Sequence, residues 1–214
     1  MRRKLIVYIK RPFPGLAKTR LAETIGEMAA AGVYARLLYT YLLRLARSDL
    51  PGVSIELAVA DPEGVAFFCD AFPEFTVRAQ GDGDLGERMW NSFLRSFDEG
   101  AEFVVLTGSD IVGLGVELIE DAFAALASVS LVVGPASDGG YYLIGQRRPG
   151  VNVFKSVDWS TDRVLEQTEE RAAEAGVRSL RLPERFDVDG WADLHRWLGA
   201  RKADESEDDA SHSL

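Results

Sequence analysis

A cluster of cations set around a bend is the first feature of this sequence able to do chemistry. Lys10-Arg11-Pro12-Phe13-Pro14-Gly15-Leu16-Ala17-Lys18-Thr19-Arg20 follows a short apolar run, Leu5–Ile9. Pro12 and Pro14 forbid regular pairing, and Gly15 permits a tight turn. A loop of this kind opening onto a helix offers unpaired backbone N–H groups and the positive end of the helix dipole to an anion. Lys10, Lys18 and Arg20 supply charge to neutralise a polyphosphate, with Pro14, Gly15 and Thr19 completing the loop. The pattern is neither a P-loop nor G-x-G-x-x-G, so it implies neither an ATPase nor a dinucleotide site. A solvated basic loop is the plain alternative.

Carboxylates recur further along the chain, each after an apolar run. Asp110, in Gly108-Ser109-Asp110, is expected over a ligand crevice, where Mg²⁺ is commonly held by one or two carboxylates plus substrate phosphates. Asp138, in Ser137-Asp138-Gly139-Gly140-Tyr141-Tyr142, is placed to orient an acceptor hydroxyl or act as its base. Gly139 and Gly140 clear the path, and Tyr141 and Tyr142 could stack on a sugar or base; a plain hairpin turn also uses Asp-Gly. In Phe186-Asp187-Val188-Asp189-Gly190, one of the two carboxylates is expected to face the site and the other to cap or pair structurally. Gln80, Asp84 and Arg88 form a glycine-rich stretch on the nucleotide side, where Gln80 could read a base edge or a ribose hydroxyl. Asp84 with Glu87 also reads as a helix N-cap and its capping-box partner. Trp159-Ser160-Thr161 is expected to cap a helix. His195 and His212 are the two histidines, so a His-rich zinc site is excluded, and no G-x-S-x-G elbow occurs.

The elements that must hold these residues alternate. Strands are expected at Leu5–Ile9, Val53–Ala60, Phe75–Ala79, Phe103–Thr107, Leu131–Val133, Tyr141–Ile144 and Arg178–Leu182. Met28, Val33, Leu37, Tyr41 and Leu45 mark one face of a long helix. Phe67, Phe68 and Phe72 fall in a short helix before Pro73. Leu85, Met89, Phe93 and Phe97 repeat every four residues, and Val116, Ile119, Ala122, Phe123 and Leu126 line a further helix. Thr161–Ala175 and Trp191–Leu198 complete the set. Alternation of this kind means a largely parallel sheet covered on both faces, with an antiparallel insertion near SDGG. Ligands of such sheets bind outside the carboxyl ends of the strands, which is where the loops above lie.

Composition narrows the possibilities. At 214 residues and 47% hydrophobic, the chain suits one α/β domain, 1–201, with residues 202–214 as an acidic disordered tail. A net charge of −10 argues against a nucleic-acid surface. The single cysteine, Cys69, lies in an apolar stretch and is expected to be a small core residue, so nothing demands an oxidising compartment. No run approaches the length of a membrane span, and a cytoplasmic location is expected.

The ordered motifs K-x-P-x-P-G-x-x-K-T-R-L, Q-G-x-G-D-L-G-E-R-M, G-S-D, G-P-A-x-D-G-G-Y-Y-L-I-G, W-S-T and D-V-D resemble the bacterial rSAM/selenodomain-associated transferase family. The resemblance runs from the first strand to about Leu198. It implies the GT-A, or nucleotide-diphospho-sugar transferase, fold: a three-layer α/β sandwich. It also implies that Lys18 and Arg20 contact phosphate, that Asp110 binds metal and that Asp138 faces the acceptor. More distantly, the KTRL loop is similar to that of 2-phospholactate guanylyltransferases. The family usually has Pro two residues after the aspartate, where this chain has Val112, and that loss is expected to loosen the loop.

Together these readings lead to a glycosyltransferase-like enzyme using a nucleotide-diphospho-sugar and a small-molecule acceptor. Mg²⁺ or Mn²⁺ would be held by Asp110 and Asp189. The alternatives are nucleotidyl transfer from an NTP with release of pyrophosphate, and nucleotide binding without catalysis.

Overall fold

Short runs of Val, Ile and Leu bounded by charge or glycine build a sheet whose middle strands are buried on both faces. The computed structural model describes residues 2–199. In chain order the first half holds β1 (Arg3–Ile9), α1 (Thr19–Ile25), α2 (Glu27–Arg47), β2 (Val53–Val59), α3 (Gly64–Ala71) and β3 (Thr76–Ala79). Next come α4 (Leu85–Asp98), β4 (Phe103–Thr107), α5 (Val116–Ala125), β5 (Leu131–Pro135) and β6 (Tyr141–Arg147). Then follow α6 (Val164–Glu174) and β7 (Ser179–Arg181), and the chain is helical again over residues 191–199.

The seven strands lie in the order β3-β2-β1-β4-β6-β5-β7. β6 runs antiparallel to both neighbours while the other pairings are parallel, so the antiparallel insertion is a single reversed strand. β4, buried along its whole length, is the middle strand. The order reverses between β1 and β4: the chain winds outward from β1 through β2 to β3, then crosses back. Their carboxyl ends splay at such a switch point and open the crevice where ligands bind.

Three layers result. Helices α2, α3 and α5 cover one face through Tyr34, Leu38, Phe68, Ile119 and Phe123. Helices α4 and α6 cover the other, led by Met89, Phe93, Phe97 and Ala172. Fully burying a side chain such as Phe68 or Phe93 contributes about 1.5–3 kcal/mol, so each layer is well anchored. A third, smaller cluster joins Leu21 of α1, Ala30 and Leu37 of α2, Val188 and Leu194. It locks the start of α1 to the segment before the last helical stretch.

Two side chains depart from expectation. Met28 is 76% exposed, because the buried face of α2 runs through Ala30, Ala31, Tyr34, Leu37, Leu38 and Tyr41 instead. Cys69 is exposed on α3, whose core contacts come from its neighbour Phe68. The expected disordered segment 202–214 lies outside the described residues. Among the described residues no helix is long and apolar enough to cross a membrane.

Candidate functional site

Three carboxylates converge at the switch point. Asp110 follows β4, and Asp187 and Asp189 precede the last helical stretch; each offers an oxygen within 4.8 Å of the others. Both Asp187 and Asp189 therefore face the site, which corrects the expectation of one. Residues two apart in an extended segment share a face, and it is Val188 between them that turns away, fully buried beside Leu21. The segment is held against the loop after β4 by a bridge between Ile111 and Asp187 and by the Val112 N–H, which donates to the Phe186 carbonyl at 3.0 Å. Proline has no N–H to give. Val112 thus ties this loop down rather than loosening it.

Lys18 stands in the middle of the cluster. Its ammonium lies 2.7 Å from Asp110, 2.9 Å from Asp189 and 3.9 Å from Asp187, and its side chain is 2% exposed. The residue sits in the left-handed backbone region at φ 55°, directly before α1. A non-glycine residue there is strained by about 1 kcal/mol, which its ion pairs offset. Burial disfavours the ammonium, but Asp110, Asp189 and Asp187 outweigh it and the Lys18 pKa rises. Burial also pushes the Asp187 carboxyl up to about 7, with Asp189 adding repulsion that Lys18 only partly cancels. Asp189 is held below the usual range: burial opposes its ionisation, but Lys18 and Arg20 prevail. Three hard oxygen donors at this spacing, half-buried, fit Mg²⁺ or Mn²⁺.

The crevice around the cluster has two lobes. One, about 480 Å³, is lined by Lys10, Lys18, Arg20 and Arg88 against Asp110 and Asp189. The other, about 450 Å³, carries Arg20 against Asp110, Asp138, Asp162, Asp187 and Asp189. Tyr8, Arg20, Gly108, Asp110 and Asp189 line both, so Asp110 and Asp189 sit on the seam between a cationic and an acidic lobe, with Lys18 on the first side and Asp187 on the second. Buried Tyr34 braces the seam from below: its hydroxyl accepts from the Lys10 N–H at 2.9 Å and meets the Ser109 hydroxyl at 3.0 Å.

The residues singled out in the sequence are distributed unevenly. Lys10, Lys18, Thr19, Arg20, Gln80 and Arg88 come together in the cationic lobe. Pro14 and Gly15 stand on the exposed outside of their loop, with Gly15 against the Glu27 carboxylate. Asp84 closes a capping box with Glu87 at the start of α4 and lines a separate hollow. Gln80 is nearly buried; its amide donates to the Ala58 carbonyl and accepts from Arg88 at 2.7 Å. Asp138 and Gly140 line the acidic lobe, where Asp138 Oδ1 accepts from the Gly140 N–H at 2.9 Å.

Gly139 has φ 88°, and a Cβ there would lie 2.1 Å from the Asp162 carbonyl oxygen, so two turns of backbone touch. The Tyr141 ring lines the acidic lobe but its hydroxyl is enclosed beside Thr168, and the Tyr142 hydroxyl donates to the Pro183 carbonyl. Thr161 does not cap α6, which begins at Val164; its hydroxyl instead donates to the Asp158 carbonyl at 2.7 Å. Asp187, Asp162, Tyr8 and Trp159 were missed as site residues. For Asp187 the signal was present, since its two-residue spacing from Asp189 already implied a shared face.

Comparison with known proteins supplies the relationship. Residues 44–161, which include Asp110 and Asp138, match the family described as "Uncharacterized protein conserved in bacteria (DUF2064)". The chain is also 35% identical to a Desulfovibrio desulfuricans G20 protein of solved structure, provisionally named a nucleotide-diphospho-sugar transferase. That alignment covers 91% of this chain and 85% of the other, with a TM-score of 0.84. Two more distant structures share the fold alone. The inositol-1-phosphate CTP transferase from T. maritima is 16% identical, with a TM-score of 0.53 over 90% of this chain and 91% of that one. The mannosyltransferase PcManGT from Pyrobaculum calidifontis, in complex with GDP-Man and Mn²⁺, is 13% identical, with a TM-score of 0.56 over 92% and 59%. A search of curated protein sequences returns no match. The chain belongs to the DUF2064 family.

Proposed function

We propose that this DUF2064 protein is a divalent-metal-dependent transferase that moves a glycosyl group from a nucleotide-diphospho-sugar to a small acceptor. The observation that carries the reading is the seam: three carboxylates and one lysine between a cationic lobe and an acidic lobe. A two-substrate transfer needs its reacting atoms at such a junction, with the donor's charge on one side and the acceptor on the other. The name of the Desulfovibrio relative supports the same reading.

In this scheme the diphosphate lies in the cationic lobe against Lys10, Arg20 and Arg88. Asp110, Asp187 and Asp189 would hold the metal ion, which supplies countercharge to the departing diphosphate. Lys18, now paired with the carboxylates, is within reach of the same phosphates and shares their charge. Fixed charges already aimed at the place where charge develops stabilise the transition state without reorganising. Asp138, whose Oδ1 is held by the Gly140 N–H, turns its other oxygen to the acceptor hydroxyl and takes its hydrogen bond or proton.

The test is a thermal-shift screen of nucleoside triphosphates, nucleotide sugars and nucleoside diphosphates, each with Mg²⁺, Mn²⁺ or EDTA, followed by turnover of whatever binds. A ligand at about 100 times its Kd adds about 2.7 kcal/mol of stability, which is readily seen. A nucleotide sugar that binds only with metal, and loses this dependence in Asp110→Asn, is the expected result. Binding unaffected by EDTA would sink the metal role, and pyrophosphate release from a triphosphate would replace glycosyl by nucleotidyl transfer.

A further inference from the structure

The two lobes differ in charge far more than one shared nucleotide site would require. The acidic lobe sets five carboxylates against Arg20 alone, and Arg20 lies on the seam, 70% exposed and 3.6 Å from Asp189. Asp110, Asp187 and Asp189 are occupied with Lys18. Asp138 and Asp162, farther from the seam, have no cation within ion-pair distance among the described residues. They leave acceptor oxygens on the rim.

Much of the remaining lining is apolar. Leu85, Met89 and Leu106 continue the core under α4 into this lobe, joined by Tyr8, the Tyr141 ring and Trp159. The wall is built in advance. Gly86 lets the Trp159 indole lie directly on α4, since a Cβ at that position would come 2.6 Å from the indole. The chain entering Trp159 is fixed by nearly buried Gln167, whose amide makes two 2.7 Å hydrogen bonds to Asp158. The rim is fixed as well, because the Leu165 N–H donates to the Gly139 carbonyl at 2.9 Å and so pins the Asp138 turn to the start of α6.

We propose that the acidic lobe is an acceptor subsite for an uncharged polyhydroxylated ring, a sugar or cyclitol, and that it rejects phosphorylated or carboxylated acceptors. The proposal rests on the transferase reading and narrows it. Ionised carboxylates accept hydrogen bonds and donate none, so Asp138 and Asp162 match hydroxyl groups and repel anions. The aromatic and aliphatic wall takes the less polar face of the ring, the usual division of labour in a small-molecule pocket. An anionic acceptor would meet like charge on the rim, with Arg20 at the seam, already beside Asp189, the one lining cation to receive it.

Saturation-transfer NMR on the full chain with Mg²⁺ tests this. The probes are myo-inositol, glucose and mannose beside inositol 1-phosphate, glucose 1-phosphate and mannose 1-phosphate. The neutral compounds should bind about tenfold or more tightly than their phosphates, the penalty of about one like charge near a screened carboxylate. The double variant Asp138→Asn, Asp162→Asn should narrow that gap, and Trp159→Ala should lose the neutral compounds. Phosphates that bind as tightly as their parents and displace them from the same lobe, no binding of either set at millimolar concentration, or neutral binding unchanged in Trp159→Ala would each overturn the proposal. Nucleotide binding to the cationic lobe, measured on the same samples, decides the transferase reading separately.

Discussion

Replacing Lys18 by methionine is the sharpest perturbation of this site. The side chain keeps its reach as far as Cε but removes the ammonium that lies 2.7, 2.9 and 3.9 Å from three carboxylates. Breaking a buried ion pair costs about 3–5 kcal/mol. Here Asp110 and Asp189 are 32% and 40% exposed, so solvent screening and protonation of Asp187 reduce the loss to about 2–3 kcal/mol. Metal affinity should move the other way. At 4 Å, even in water's dielectric, an ammonium and a divalent ion repel by about 2 kcal/mol. Withdrawal of the wild-type ammonium toward the cationic lobe, which Lys18 also lines, would relieve part of that repulsion, so the expected gain is about tenfold in Mn²⁺ affinity without nucleotide.

Calorimetric titration of Mn²⁺, with melting curves in EDTA and in Mn²⁺, reads both effects. Lys18→Met should melt earlier in EDTA, recover more than the wild type on adding Mn²⁺, and bind nucleotide about one to two decades more weakly. Mn²⁺ affinity that is unchanged or weaker in the variant would refute the reasoning, because it would mean that the ammonium and the ion do not share these carboxylates.

Other consequences follow from the same geometry. Asp138→Asn should leave nucleotide affinity nearly unchanged while turnover falls by about 10²–10⁴, as for loss of a general base; loss of nucleotide binding instead would misassign the acidic lobe. The metal-free protein should lose stability as pH rises from about 4 to about 7. In that window Asp187, with its pKa raised to about 7, keeps a proton that the unfolded chain has released, and the slope is at most about 1.4 kcal/mol per pH unit. Urea titrations across this range, flattened by Asp187→Asn, check it. Val188→Ala should cost about 1–2 kcal/mol and weaken Mn²⁺ binding, since the fully buried Val188 sets the aim of both flanking carboxylates. A variant equally destabilised but with normal Mn²⁺ affinity would show that the aim is set elsewhere.

The sequence by itself determined the elements and their order. Apolar runs such as Leu5–Ile9 and Phe103–Thr107, short and bounded by charge or glycine, carry the signature of buried strands, and the helices between them imply a parallel sheet with ligand loops at one end. It also pointed to the loops that converge on the crevice, because the basic loop, Gly108-Ser109-Asp110 and SDGG each follow a strand and D-V-D precedes the last helical stretch. Tertiary structure alone decided how these groups meet. Lys18 and Asp189 are 171 residues apart, and the contact that brings them to 2.9 Å runs through Leu21 and Val188 packing in one small cluster. No local spacing encodes that distance. A loop cation reads only as a phosphate ligand until the fold shows it paired with carboxylates as well. The sign of each lobe was equally hidden, because it depends on which side chains, spread from Tyr8 to Asp189, turn toward a common space. Periodicity fixes which face of an element is buried; only packing between elements fixes which charges share a cavity and thereby shift one another's pKa.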